Sequence, residues 1–389
     1  MLENSYVMKT YARADIAFVS GDNATLIDSE GRDYIDFTSG IGVVSIGHGD
    51  NVLARTLCNQ ARKIIHISNL YQIEQQELAA KKIVEASGYD MNCFFGNSGA
   101  EANEGAIKIA RKYGEVDGEP KRYKIITLKH SFHGRTITTV KATGQEAMHN
   151  YFGPFPDGFV YAESIDDIAG LVDDHTVGVM IELIQGEGGV QPIDKTKVQE
   201  LAKFLKSKDV LLMVDEVQTG VYRTGEFTAS QVYDIQPDII TLAKGLGGGM
   251  PIGVVMSSKK EVLQAGDHGS TFGGNYLSST AAMTVVDFLN HYKESGALDE
   301  MIIAFSHKLD AMHKKFPELF SEAVGFGLMR GLRMNDSDTL ARLIDLSRDN
   351  GVMVLRAGRN TLRFLPPLTI TKDEMEEGFV RLEKAIASL

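Results

Sequence analysis

The chain has 389 residues, 43% hydrophobic and 24% charged, which allows a full core in two or three domains of ordinary size. Its net charge of −12 and the lack of any Lys/Arg-rich block argue against nucleic acid or an anionic membrane as the main partner. Cys58 and Cys93 follow no CxxC spacing and cannot make a metal site between them, and no apolar run reaches the ~18 residues of a membrane span, so the chain reads as a soluble, metal-free protein of a reducing cytoplasm.

Residues 1–18, which begin MLENSYVMKTYAR, hold no apolar signal core and read as an irregular arm. At 24–37, apolar residues flank the acidic turn Asp28-Ser29-Glu30-Gly31, a hairpin signal. Helical patterns then cover 51–67, 73–87 and 99–113, alternating with apolar strand patterns at 91–95, 123–128, 177–183, 210–214, 238–243 and 252–256. Strands that are apolar throughout and separated by helices imply a largely parallel sheet covered on both faces. Cys58 lies in a helical pattern and Cys93 in a strand, where a free cysteine behaves as a small buried hydrophobe.

A long helical stretch near 275–294 leads to helices at 298–315 and 337–349, with short strands near 323–333, 352–356 and 361–365. In the last helix, from 372, Thr371 and Glu374 form a capping-box pair, and Met375, Phe379, Leu382, Ile386 and Leu389 make one apolar stripe of structural character. The chain is expected to divide into an arm and hairpin segment at 1–50, a large α/β domain at 51–280 and a linking helix with a small α+β domain at 281–389. The small domain draws on both chain ends.

In open α/β sheets ligands collect outside the carboxyl ends of the strands, so the residues just after each strand are the candidates. After 91–95 comes GNSGAE, in which Ser98 and Glu101 have capping-box form and Gly96 and Gly99 allow close backbone approach. That is either an anion site at a helix start or an ordinary capped helix. After 123–128, Phe132, His133 and Arg135 stand together, as a ligand platform or as structural groups. Glu182, Gln185 and Glu187 occupy a glycine-rich loop, and Asp215 is the first polar group after an apolar run, so it needs a donor or cation. Lys244 ends the strand pattern 238–243 and precedes Gly245, Gly247, Gly248 and Gly249. A solvated strand end is the ordinary reading of such a lysine. An apolar floor would instead lower its pKa toward nucleophilic values. GLGGGM, with no helix expected after it, does not fit a dinucleotide fingerprint, and no GKS or GKT marks a P-loop. A helix-start anion site, an aromatic platform, a buried carboxylate and a strand-end lysine together fit pyridoxal 5′-phosphate, which offers a phosphate, a ring, a pyridine nitrogen and an aldehyde for a lysine Schiff base.

The segments GNSGAEANEGAIK, SFHGRT, IQGEGGV, VDEVQTG, TLAKGLGGGMPIG and GDHGSTFGG closely resemble the class III, or ω-amino-acid, aminotransferases. The likeness runs from TYAR near residue 10 to LRFLPPLT at 362–369 and is greatest to the N-acetylornithine aminotransferase subfamily. It implies pyridoxal-phosphate fold type I, the aspartate-aminotransferase-like α/β architecture with a mostly parallel sheet, in a homodimer whose active sites lie at the subunit interface. It also implies that Lys244 carries the cofactor and shuttles the proton, and that Asp215 partners the pyridine nitrogen. Phe132 and Val217 would pack on the ring, Gln218 would reach its hydroxyl side, and Ser98, Gly99 and Ala100 would hold the phosphate with Thr271 of a second subunit.

For substrates the resemblance implies transfer of the terminal amino group of N2-acetyl-L-ornithine to 2-oxoglutarate, giving N-acetyl-L-glutamate 5-semialdehyde and L-glutamate in arginine biosynthesis. N-succinyl-diaminopimelate of lysine biosynthesis is a second acylated donor. Arg135 with Ser270 would take the donor carboxylate, Arg363 the 2-oxoglutarate carboxylate, and Glu187 would pair with Arg363 in the other half of the cycle. Tyr11 stands where ornithine aminotransferases use a tyrosine on the substrate carboxylate. Residues 38–45, TSGIGVVS, are small and aliphatic where those enzymes present a tyrosine to a free α-amino group, which favours an acylated donor. Other ω-amine donors, or an aminomutase on the same scaffold, are the alternatives. The sequence departs from the family at Leu183 and Tyr276, where proline is common.

Overall fold

A computed structural model describes residues 6–389, so the first five residues of the expected arm lie outside the described residues. At its centre is a seven-stranded sheet in the order Asn92–Gly96, Gly253–Ser257, Ile239–Leu242, Leu211–Asp215, Thr176–Ile181, Lys124–Leu128, Phe159–Ala162. Six strands run one way. Gly253–Ser257 is antiparallel to both neighbours, so the sheet is mixed where the apolar patterns alone suggested parallel pairing. The reason lies in the connection from Leu242 to Gly253, which is one 3-10 turn, Lys244–Gly247, and a glycine-rich loop. A parallel return needs a crossover of a dozen residues or more, and this link is too short for one. Thr176–Ile181, Leu211–Asp215 and Ile239–Leu242 are buried at every position, as expected for strands covered on both faces.

The helical patterns form with small changes at their ends. The first stops at Ala61 rather than 67, because the Gln60 side chain turns inward and donates to the Ile64 carbonyl at 2.8 Å. Cys58, expected inside, is exposed: the buried face of that helix is Leu53 and Gln60. Cys93 is half-buried, and burial pushes its thiol up to about 12. Tyr276 takes the first helical position behind the N-cap Asn275, so this departure leaves the helix start intact. Leu183 is fully buried, and its carbonyl accepts from Tyr233 Oη at 3.1 Å and the Ile193 amide at 3.0 Å.

The two chain ends build the rest. Phe18–Asp22, Thr25–Asp28 and Asp33–Asp36 form antiparallel pairs, and Val352–Met353 adds parallel to Asp33–Asp36. Asp28 Oδ1 accepts the amides of Glu30 and Arg32, which closes the hairpin read at 24–37. A second antiparallel sheet contains Phe320–Phe326, Met329–Met334, Thr361–Phe364 and Leu355–Ala357. Phe37, Phe305 and Phe379 meet with centroids 5.2–5.5 Å apart and join the N-terminal and C-terminal segments in one aromatic cluster. The terminal helix Lys372–Ile386 has its capping box, and Glu374 also accepts from Asn23 Nδ2 and the Ala24 amide. The cap carboxylate therefore ties the two ends together as well. No helix of the described residues is long and apolar enough to cross a membrane.

Candidate active site

The carboxyl ends of the parallel strands open into a cavity of about 440 Å³. Its walls include Ser98, Gly99 and Ala100, then Phe132 and Arg135, then Glu187, Val217, Gln218 and Lys244. A larger surface groove, about 780 Å³, lies at the opposite strand ends, where Asp238 and Lys259 already pair at 3.3 Å.

Lys244 leaves its strand with φ +40°, a left-handed conformation uncommon outside glycine and kept only where the surroundings enforce it. The enforcement comes from close packing of the turn. Gly248 has φ +57°, and a Cβ there would stand 2.9 Å from Val285 Cγ2 and 3.0 Å from Leu53 Cδ2. Ser45 Oγ donates to the Gly245 carbonyl at 2.6 Å. So the glycines press the turn against two helices rather than simply clearing space around the lysine. Burial pulls the Lys244 ammonium down to about 8, Arg363 lowers it further, and Glu187, Asp215 and Glu182 act against the shift. In the cofactor-free protein, modification of this amine should therefore have a midpoint near pH 8. Labelling rates across pH, with Lys244→Ala as the blank, check this, and a midpoint at the ordinary 10.5 would contradict it.

Asp215 ends its strand beneath the cavity, 4% exposed. Its Oδ2 accepts from Asn103 Nδ2 and lies 2.8 Å from His133 Nδ1, and its Oδ1 accepts the Val217 amide at 3.0 Å. Asn103 also donates to the His133 carbonyl and accepts from Thr241 Oγ1, so one amide side chain aligns the carboxylate, the histidine loop and the neighbouring strand. Three donors around one buried carboxylate keep it oriented as an acceptor.

The helix Gly99–Tyr113 begins at the cavity wall. Ser98 Oγ accepts the Glu101 amide at 3.2 Å, but Glu101 does not return the bond as a capping box requires. Its carboxylate accepts the Asn97 amide and side chain instead. The first-turn amides of Gly99 and Ala100 have no intrahelical acceptors, so this end of the helix favours an anion. A Cβ on Gly99 would stand 2.7 Å from Val217 Cγ1, which explains the glycine.

Glu182, buried in the cavity wall, accepts the Phe132 amide at 2.9 Å and the Gly186 amide at 3.3 Å. Burial pushes it up to about 7, with the nearby His133 opposing. The Arg135 guanidinium lies 5.6 Å from the Phe132 ring centroid. Arg363, on strand Thr361–Phe364, donates through Nη1 to Glu187 Oε1 at 2.6 Å and to Gln218 Oε1 at 3.3 Å. Its side chain is 3% exposed and that of Glu187 31%.

Five sequence candidates lie outside the cavity wall: Asp215 and Arg363 touch it through Val217 and through Glu187 and Gln218, and three stand further off. Tyr11 is 74% exposed on the arm, against Arg13. Ser270 Oγ accepts from Asn97 Nδ2 at 3.1 Å, one residue removed from the wall, and Thr271 is exposed. Conversely, Val43 and Asn97 line the cavity and Asn103 and Thr241 brace Asp215, though none of the four is among the sequence candidates. Asn103 had a signal: it interrupts the apolar helix face of Ala102, Ala106, Ile107 and Ala110 with an amide.

A free-amide helix start, an aromatic and an aliphatic wall, a buried acceptor carboxylate and a lowered lysine form a donor set that fits pyridoxal 5′-phosphate part for part. Residues 6–386 match the family described as Aminotransferase class-III. An acetylornithine aminotransferase of Wolinella succinogenes is 57% identical over 389 residues, covering 100% of this chain and 99% of the relative. An acetylornithine/succinyldiaminopimelate aminotransferase of Buchnera aphidicola is 40% identical, covering 95% of this chain and 91% of the relative. Among solved structures, the ornithine aminotransferase of Toxoplasma gondii, described with partial occupancy of PLP at its active site, superposes with a TM-score of 0.91 at 31% identity, covering 98% of this chain and 92% of that one. The full-length match and the site beneath it agree: the chain belongs to the class III aminotransferases.

Proposed function

We propose that the protein is a pyridoxal-phosphate-dependent transaminase of the cytoplasm. It moves the terminal amino group of N2-acetyl-L-ornithine to 2-oxoglutarate and also accepts N-succinyl-diaminopimelate. The observation that carries the two-substrate cycle is the Arg363–Glu187 pair beside Lys244. The acylated donor is supported by the Wolinella and Buchnera relatives and by Val43, an aliphatic side chain on the cavity wall that offers an ammonium no hydrogen bond.

Ser98, Gly99 and Ala100 hold the cofactor phosphate, Phe132 and Val217 its ring, Gln218 its hydroxyl side, Asp215 its pyridine nitrogen and Lys244 its reactive carbon. When bound, the cofactor supplies an electrophilic carbon for the amine and a cationic heterocycle that draws electrons from the substrate's C–H bond. Lys244 Nζ, its proton affinity lowered by burial, would remove the proton from the donor's reacting carbon in the first half of the cycle and deliver one to the keto acid's carbon in the second. Arg135, with Ser270 beside Asn97, receives the donor's carboxylate. Arg363 receives the carboxylate next to the keto group of 2-oxoglutarate. Leaving that buried guanidinium unpaired would cost several kcal/mol, and Glu187 compensates it while the donor is bound. The exposure difference makes the exchange feasible: Glu187 can swing toward solvent while Arg363 stays in place.

A second copy of the chain is the proposed partner. Ile65, Leu70, Tyr71 and Phe272 are large, apolar and exposed. Asn69 Nδ2 bonds the carbonyls of Ser270 and Gly273, which makes one patch of these loops around Thr271. A homodimer closing over this patch would bring Thr271 of each subunit to the other's phosphate site.

Steady-state kinetics with 2-oxoglutarate test the substrate assignment. Acetylornithine should exceed free ornithine in kcat/KM by about tenfold or more, as expected for a pocket that leaves an extra charge unpaired. A higher kcat/KM for ornithine would overturn it.

A further inference from the structure

The loop after the Asp215 strand holds two features to which the proposed function gives no task. Val221 and Tyr222 lie side by side in the left-handed region, at φ +58° and +64°. Such positions are strained for residues other than glycine and survive only where surrounding contacts impose them. The next residue, Arg223, is 2% exposed and has no carboxylate partner among the described residues. Its Nη1 donates to the carbonyls of Pro366 at 2.6 Å and Leu328 at 3.2 Å, while Nη2 meets no acceptor among the described residues. Burial draws the guanidinium down to about 9. A buried cation held only by carbonyls is a net cost to folding, and an apolar side chain would fill the place more cheaply.

What the arrangement provides is register. The Leu328 amide donates back to the Arg223 carbonyl at 2.9 Å, so the hairpin tip at 326–329 is fastened to this loop by backbone and side chain together. Pro366 stands three residues beyond Arg363, and Gln218 stands five before Arg223. Segments 218–223 and 363–366 are thus joined twice: inside the site by Gln218 with Arg363, and behind it by Arg223 with Pro366. Both bonds leave one nitrogen, Nη1, whose place is fixed by the rigid guanidinium plane; a lysine ammonium could donate to the same carbonyls, but from a flexible stem that does not fix their positions.

We propose that Arg223 is a positioning residue for the keto-acid half of the cycle: by clamping Pro366 and Leu328 to the loop that carries Gln218, it sets where the Arg363 guanidinium meets its carboxylate. The inference rests on the assignment of Arg363 to 2-oxoglutarate. It makes Arg223 a determinant of keto-acid binding that touches neither substrate.

The test compares Arg223→Lys with wild type in separate single-turnover half-reactions of the holoenzyme, alongside thermal unfolding and the equilibrium Kd for glutarate, an unreactive dicarboxylate. Keto-acid and glutarate binding should weaken by about tenfold, the scale expected when a clamp is misplaced by a fraction of an ångström, with the amine half-reaction within about twofold of wild type. Equal weakening of both halves, or no change in either, would overturn the inference. Gly327→Ala approaches the same clamp from the other side, since its Cβ would stand 2.5 Å from the Arg223 carbonyl, and should show the same asymmetry. It decides alone should the lysine variant not fold. Arg363→Lys serves as the control. If its effect is not confined to the keto-acid half, the Arg363 assignment fails. If it is so confined and the Arg223 and Gly327 variants are not, only the present inference fails.

Discussion

Lys244→Ala should yield a folded protein whose transamination rate is lower by about 10⁴-fold or more, the upper range for removing a positioned proton carrier. The loss is expected to be this large because one nitrogen performs two tasks, attachment of the cofactor and movement of the proton. No other amine is placed to replace it, since the remaining cations at the site, Arg135 and Arg363, are guanidiniums, and Arg363 is already engaged with Glu187 and Gln218. Folding should not suffer. Burial penalises the Lys244 ammonium, and alanine removes a side chain whose charged form the fold disfavours. The linkage is set by the direction of the shift. The folded protein holds this lysine's proton less tightly than the unfolded chain does, so its destabilising effect is fullest below about pH 8 and fades as pH rises through the unfolded value. Single-turnover rates together with thermal unfolding at neutral pH check both halves of this expectation. A variant that retained near-normal turnover would contradict the role given to Lys244.

Asp215→Asn is the second large effect, expected at about 10³-fold on kcat. Two unit charges 4 Å apart interact by about 4 kcal/mol at an effective dielectric of 20, and each 1.36 kcal/mol is a tenfold change in rate. Geometry adds to the charge term. Oδ1 and Oδ2 together receive the Val217 amide, Asn103 Nδ2 and the neighbouring His133 Nδ1. An asparagine must turn its own NH₂ toward one of these donors, so it loses the anion and strains the network that orients it. Cofactor affinity, read from absorbance on titrating the cofactor-free variant, should fall along with kcat. An Asp215→Asn protein with unchanged kcat would show that the anion at this position does no chemistry.

Much of the architecture is legible in the sequence. The strand pattern ending at Asp215 is apolar without interruption and that before Lys244 is broken within the strand only by Thr241, a signature of two-sided burial, and the strands appear within a residue or two of those limits. The reversal of Gly253–Ser257 was not legible, because direction depends on the length of the connecting turn and an apolar strand reads the same both ways. Cys58 was misplaced because its helix buries a glutamine in place of a more apolar neighbour, for the sake of one hydrogen bond. The site residues from the large sheet meet at one cavity because each follows a strand of that sheet. Arg363 arrives from a different sheet altogether, and Asn103 and Thr241 act through contacts between elements far apart in sequence. Such pairings are tertiary facts with no local pattern. Thr271, read as serving a second subunit, and Tyr11, read as a contact to the substrate carboxylate, both stand at the surface of their own chain and have no place in a single subunit's cavity.

Peptide mapping of the cofactor-loaded protein after borohydride reduction bears most directly on the chemistry proposed for this fold. The added mass should be found on the one tryptic peptide that contains residue 244, with the bound coenzyme no longer released by denaturation. Label on any other lysine, or none after complete loading, would contradict it.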